Sequence, residues 1–306
     1  MDFQKNFEKI YKKLKNAKNT GKNYEDIPEL KKVNPNLFAI SIFTVNGESF
    51  NIGDYDKLFA IESISKIFSL AKALETVGEA KMKKLIGTSQ TGLAFNSIVD
   101  IENTANYTIN SFENGGAMAT TSIYYDKNKN KFKKKIFDIM GDFAGRKLTY
   151  SKEIYNSEIT HSDHNKAIAY LLNSHYRFYG DVESTIEVYT KQCSALVTTK
   201  DIAIMGATIA NNGINPKTGK NVIDKKFIHY IISHMIYNGL YEYSETFFTD
   251  VGVPAKSGIG GGILLVIPGV MGIGILSPPL DNHGNSSKGI IAAYELSKLL
   301  KLNILT

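Results

Sequence analysis

Ile61-Glu62-Ser63-Ile64-Ser65-Lys66 is the stretch on which the fold turns. From Glu62 the apolar residues fall at helical spacing, with Ile64, Ile67, Phe68, Ala71 and Leu74 on one side and Gly78 placed to end the helix. Ser63 and Lys66 stand three apart at the opening and so share a face. A serine oxygen there gains from the positive end of the helix dipole as it takes on negative charge. A lysine on the same face can accept its proton once desolvation lowers the lysine pKa. The pair has the makings of a nucleophile and its base. The same spacing also arises from a helix cap followed by a solvated lysine, so a second element is needed.

That element lies far along the chain, where Lys256-Ser257-Gly258 occupies a strand ahead of a glycine-rich segment. A Lys-Ser-Gly strand beside a nucleophile offers a cation and a hydroxyl to a substrate's polar groups, and its glycine lets the substrate backbone come close. The N–H just beyond can complete an oxyanion hole with that of the nucleophile. In this order the two motifs resemble the serine acyl enzymes of the penicillin-recognising, β-lactamase-like fold. The resemblance implies an α+β fold, with an antiparallel sheet formed from both chain ends and a helical region carrying the nucleophile.

Gly258 to Leu276 has no charged residue and is about as long as a bilayer crossing requires, but seven glycines and Pro268 interrupt it. Its apolar residues form two groups, Ile263 to Ile267 and Met271 to Leu276, divided by Pro268-Gly269, a turn signal. A buried β-hairpin is expected, with glycines where another backbone comes close. A second hairpin is predicted from Phe38 to Val45, Asn46-Gly47, and Glu48 to Ile52. Helices are predicted near Phe132–Phe143, His164–Leu172, Val182–Val197, Thr199–Asn211, Val222–Tyr237 and Ser286–Leu300, with Asn212-Gly213 and Asn238-Gly239 as stops. Residues 1–60 and 245–306 are thus expected to form an α/β sheet domain and residues 61–244 a mainly helical inserted domain, with a cleft at the junction. The basic run Lys127 to Lys135 reads as a solvated loop entering a helix at Phe132.

The 306 residues are 43% hydrophobic and 22% charged, which excludes disordered and collagen-like classes. A net charge of +6 is too small and too scattered to define a nucleic-acid binder. One cysteine, Cys193, excludes an intrachain disulfide and a Cys-clustered zinc site and points to a reducing compartment, the cytoplasm. Met1 to Lys22 lacks the apolar core of about 7–15 residues that an export signal needs. Phe3, Phe7, Ile10, Leu14 and Ala17 recur there at helical spacing, and the helix is expected to pack on the domain rather than lie on a membrane. His161 and His164 have no third ligand in a readable pattern, so no metal is expected. Cys193 reads as packing, without a site histidine in a recognisable motif.

Longer stretches narrow the resemblance. Phe59 to Lys66, Phe95-Asn96-Ser97-Ile98-Val99, Tyr189-Thr190-Lys191-Gln192-Cys193-Ser194, Met205 to Asn211 and Val253 to Ile263 closely resemble the serine-dependent glutaminase family. Ser277-Pro278-Pro279-Leu280-Asp281 and Gly284-Asn285-Ser286 extend the likeness, which runs in order from about Tyr24 to the C-terminus.

The resemblance implies hydrolysis of the side-chain amide of L-glutamine through a glutamyl-serine intermediate, without a cofactor. It makes Ser63 the nucleophile and Lys66 its proton partner, with Tyr189 and Lys256 as groups that could relay a proton to the leaving ammonia. Asn114, Glu158, Asn165, Tyr189 and Tyr241 match the residues that grip the substrate, where a carboxylate suits the α-ammonium of free glutamine. Ile259 stands where the family usually has valine and contributes its amide to the oxyanion hole. Glu158 and Asn165, seven apart, would share one helical face if the helix extends that far. The loop Asn110 to Ala117 lacks a family proline and gains Glu113 and Gly115, which is expected to loosen it and add charge near the substrate. A homo-oligomer, dimer or tetramer, is implied by resemblance alone. The alternatives are a β-lactam or peptide hydrolase of the same fold, and a glutamine-binding sensor without turnover.

Overall fold

The two predicted hairpins meet edge to edge. In the computed structural model, which describes residues 3–103 and 107–305 apart from the side chains of Phe3, Gln4 and Asn6, β1 (Ala39–Thr44) pairs with β2 (Ser49–Gly53) across the Asn46-Gly47 turn. A two-strand ladder joins β3 (Phe59–Ala60) to β4 (Leu196–Val197). β5 (Ala255–Ser257), β6 (Gly262–Ile267) and β7 (Met271–Leu276) complete the main sheet, in the order β2-β1-β7-β6-β5 with antiparallel pairing throughout. The register Ala39↔Leu276 to Thr44↔Met271 stitches the early hairpin to the late one, so the sheet is built from both ends of the chain within an α+β fold.

The helices are α1 (Phe3–Lys15), α2 (Pro28–Lys31), α3 (Lys66–Val77), α4 (Glu79–Leu85), α5 (Val99–Asn103), α6 (Asn114–Ile123) and α7 (Lys129–Ala144). They continue with α8 (Lys152–Thr160), α9 (Asp163–Ser174), α10 (Val182–Cys193), α11 (Thr199–Ala210), α12 (Ile228–Asn238), α13 (Ser244–Val251) and α14 (Ser287–Leu300). No helix among the described residues is long and apolar enough to cross a membrane.

β6 and β7 are buried along their whole length, as central strands covered on both faces must be. Strand alternation splits β6: Ile263, Leu265 and Ile267 join Phe7, Ile10 and Leu14 of α1 and Leu296 of α14 on one face. Leu264 and Val266 turn to the other face, into a core with Ile67, Phe68, Met118, Phe143 and Ile186 of the helices. α11 lies directly on that second face. A Cβ on Gly272 would sit 2.2 Å from Ala207 N, and one on Gly274 would sit 2.3 Å from Thr199 O, so the glycines admit the helix backbone itself. Gly274→Ala should therefore cost about 1–3 kcal/mol, because backbone cannot step aside as a flexible side chain can. Urea denaturation reads that loss as a lower midpoint at an unchanged slope.

A partition into residues 1–60 with 245–306 and residues 61–244 is our proposal. α11 crosses it, since it falls in the second span and packs on the sheet.

Four local expectations are corrected. The helix begun at Val182 ends at Cys193 rather than Val197, because Thr198 must be extended, φ −108° and ψ 168°, to cap α11 in a reciprocal box with Asp201. Glu158 and Asn165 sit on two helices, α8 and α9. The chain breaks between them, where the Ser162 hydroxyl donates to Ile159 O and His161 Nδ1 meets Ser157 O, each at 2.7 Å. Val222 and Ile223 precede the helical stretch, which opens after the Asp224 cap. Ala17 lies beyond α1 and is exposed, whereas Phe7, Ile10 and Leu14 are buried as expected; the side chain of Phe3 is outside the described residues.

Candidate active site

Ser63 lies in a single 3₁₀ turn, Glu62–Ser65, that feeds α3. The approach to it is held from two sides. Ile61 N–H donates to Ala195 O at 2.8 Å beside the β3–β4 ladder, and the turn after β5 presses on the nucleophile segment. A Cβ on Gly258 would meet Ile61 O at 2.8 Å and Ser63 N at 3.3 Å, so glycine alone brings the Lys-Ser-Gly strand this close to the Ser63 amide. Glu62 and Tyr241 both have left-handed backbones, φ 50° and 55°, a conformation costing non-glycine residues roughly 1–3 kcal/mol each and concentrated at functional sites.

Lys66 is wholly buried, and burial pushes its amine down to about 8. Its Nζ donates to Phe112 O and Asn114 Oδ1, each at 2.7 Å, and reaches Tyr241 Oη at 3.4 Å. The Tyr241 hydroxyl also lies beside Ser63, so tyrosine stands between nucleophile and lysine. Lys256 is wholly buried as well, with Nζ 4.0 Å from the centre of the Tyr241 ring and donating to Gly239 O and Ser257 O at 2.9 Å. Burial, then the neighbouring Lys66, holds the Lys256 amine well below its ordinary value. Two amines around one ring disfavour each other's charge, which favours a neutral base.

A cavity of about 250 Å³ opens on Ser63. Asn114, Glu158, Asn165, Tyr189 and Ile259 line it, while Lys66, Tyr241 and Lys256 stand behind its wall. The nine residues singled out in the sequence therefore converge. Asn114 links the two layers: its Oδ1 accepts from Lys66 and, at 3.4 Å, from the Tyr189 hydroxyl, and its Nδ2 donates to Asn165 Oδ1 at 3.1 Å. Burial drives the Tyr189 hydroxyl well above its ordinary value.

Other lining groups were not singled out. Phe95 packs tilted against Tyr241 with ring centres 5.1 Å apart, its carbonyl accepts from Asn114 N at 2.8 Å, and Asn96 O meets His164 Nε2 at 2.7 Å. Tyr24 and Asp26 close the cavity from the N-terminal segment, and Cys193 lines it from α10. Glu62, next to the nucleophile, also lines it and could have been suspected from position alone. His161 and His164 both spend a ring nitrogen on a backbone carbonyl.

The departing loop is pinned rather than slack. Asn110 Oδ1 accepts from the N–H groups of Phe112 and Glu113 at 2.9 Å, and its Nδ2 donates to Ser89 O at 3.0 Å. Glu113 is buried between the two Lys66 acceptors, and burial raises its carboxyl to about 7 against the pull of Lys66.

The glutaminase family profile matches residues 21–305. Glutaminases of Mycobacterium ulcerans (strain Agy99) and Escherichia coli (strain K12) are each 42% identical to this chain. The first aligns over 294 residues, 96% of this chain and 92% of the relative; the second over 286 residues, 94% and 92%. A solved structure described as a probable glutaminase superposes with a TM-score of 0.96 at 40% identity, across 99% of this chain and 98% of that one. A Bacillus glutaminase does so at 0.91 and 28% identity, across 98% and 99%. With a buried serine–tyrosine–lysine arrangement inside a family match that spans nearly the whole sequence, the chain belongs to the glutaminase family.

Proposed function

We propose that this glutaminase, which hydrolyses glutamine to glutamate, does so through a γ-glutamyl ester on Ser63. The observation that supports this most is the buried Lys66 amine, 3.4 Å from the Tyr241 hydroxyl that lies beside Ser63 at the cavity. In the forward step the Ser63 Oγ–H proton passes to Tyr241 as the Tyr241 proton passes to neutral Lys66. Oγ bonds to the carboxamide carbon, and the oxyanion forms between the Ser63 and Ile259 amides. Collapse breaks the C–N bond, and the proton held by Lys66 returns through Tyr241 to the departing ammonia. Water then attacks the ester, gives its proton back along the same route, and frees glutamate and Ser63. Glu158 holds the α-ammonium, Asn114 and Asn165 the polar groups beside it, and Tyr189 steadies Asn114. Lys256, over the Tyr241 ring, keeps Lys66 neutral rather than touching the leaving group. A similar protein, Mglu, 33% identical with a TM-score of 0.94 over 100% of this chain and 68% of its own, is solved in an L-glutamate binding form, which supports an amino-acid reading of the cavity.

The test is ammonia release from L-glutamine, D-glutamine, L-asparagine and a chromogenic cephalosporin, with hydroxylamine as competing nucleophile. The expected outcome is turnover of L-glutamine and a ratio of hydroxamate to glutamate that is the same for glutamine and for a γ-glutamyl anilide, as a common ester requires. Ratios that differ between the two substrates would remove the ester. Tyr241→Phe should lower kcat about 10²-fold or more, since it breaks the proton route and leaves the ring. For the wild type, kcat should climb with pH through about 8, because the amine must be neutral to take the proton and is protonated below that value. The same proposal places the enzyme in the cytoplasm as a homo-oligomer; sedimentation reads the assembly.

A further inference from the structure

Glu62 is the buried group that the scheme above leaves idle. It is 2% exposed, precedes the nucleophile and faces Glu158 across the cavity. One oxygen from each carboxyl and the Cys193 thiol lie within 4.8 Å of one another. Among the described residues neither Glu62 Oε1 nor Glu158 Oε1 has a hydrogen-bond partner, although both atoms are buried. Ionised carboxylates are acceptors only, so two of them can hydrogen-bond only with a proton between them.

The titratable neighbours are few. Lys66 stands behind Glu62 on α3, Cys193 and Tyr189 face the pair from α10, and Tyr24 and Asp26 face it from the N-terminal segment. His161 and His164 line the cavity, and the Ser194 hydroxyl, near Glu158, donates to Thr190 O at 2.8 Å.

We propose that Glu62 and Glu158 share one proton and together read the amino-acid end of the substrate. The pair then presents one negative charge and one O–H, the complement of an α-ammonium beside an α-carboxylate. Removing the proton leaves two negative charges, which repel the α-carboxylate; adding a second leaves none for the ammonium. Optimal binding requires the singly protonated pair. Burial agrees with this, raising both carboxyls above the ordinary carboxylate range, so a proton stays with the pair through neutral pH and leaves above it. The inference rests on the reading that Glu158 takes the α-ammonium, and it makes Glu62 the specificity-determining partner.

Glu62→Gln keeps a donor at every pH and leaves the charge on Glu158. In the wild type, KM for L-glutamine should rise about tenfold by one unit above the pH at which the pair loses its proton. In Glu62→Gln the rise over the same interval should stay below about twofold. Titration of the substrate amine acts on both proteins alike, and the altered titration of Lys66, whose charge Glu62 favours, reads in kcat, so the contrast in KM belongs to the pair. An equal rise in both would overturn the proposal, as it is what a merely structural Glu62 predicts. Infrared difference spectra, wild type minus variant, supply a readout independent of turnover. A neutral carboxyl band should be present at pH 7, bleach as the pH is raised through the range where KM climbs, and be missing from both Glu62→Gln and Glu158→Gln. No such band would overturn the shared proton even if turnover is normal. Absence of ammonia release with the band present would instead strike at the function and leave the proton in place.

Discussion

Ser63→Ala will leave a folded protein whose release of ammonia from L-glutamine falls ~10⁴-fold or more, because a covalent route without its nucleophile has no substitute. Ser65 cannot take over. It is wholly buried, with its hydroxyl 3.9 Å from Cys193 Sγ and 3.5 Å from Gln192 Nε2, and does not line the cavity that opens on Ser63. The loss should fall on kcat while L-glutamine still raises the melting temperature of the variant, since the residues proposed to grip the substrate are untouched. Wild-type turnover in Ser63→Ala would sink the ester mechanism and leave a water as the attacking group.

Lys66→Met is expected to cost ~10³-fold or more in kcat, and the double variant with Ser63→Ala should be scarcely worse than Ser63→Ala alone, because the two act as one unit. Its effect on stability should run the other way. Folding lowers the Lys66 pKa from 10.5 to about 8, so the charged form is disfavoured in the folded state. That penalty is full below about pH 8, shrinks through the interval, and is gone above 10.5. Melting temperatures of Lys66→Met relative to wild type should therefore improve as pH is lowered toward 8. Phe112 O and Asn114 Oδ1 lose their donor in the variant, which subtracts a part that does not depend on pH. A variant equally shifted at all pH values would mean that folding leaves the Lys66 pKa unchanged, so that no neutral amine stands ready as the base.

The parts of this design that were legible in the sequence are those written in short-range pattern. Asn46-Gly47 and Pro268-Gly269 mark turns, the glycines of β7 announce a backbone neighbour, and Ser63 and Lys66 lie one helical turn apart. What escaped depends on distance in space. Glu62 and Glu158 meet because β3 pairs with β4, which sets the end of α10 beside the nucleophile turn, and because that end in turn holds the start of α8 through Ser151 N–H to Ser194 O and Leu196 N–H to Thr149 O. Tyr241 sits in a three-residue 3₁₀ turn with a left-handed backbone, a place without periodicity, so its position between Ser63 and Lys66 had no signature. The family resemblance named Tyr241 but gave it to the substrate. The break between α8 and α9 was hidden because Ser162 and His161 satisfy helix carbonyls with their side chains, which apolar spacing does not record.

The sheet order β2-β1-β7-β6-β5 sets a schedule for synthesis. β1 leaves the ribosome as part of a hairpin, but its other edge, Ala39–Thr44, must wait for Met271–Leu276, which is translated last among the strands. During that interval an apolar strand edge stands open to other nascent chains. Ser63 and Lys66 are also made long before the Lys256 strand that completes their surroundings. Chaperone demand and slow, late maturation of activity are thus built into the connectivity, and the enzyme becomes competent only when its final hairpin has closed.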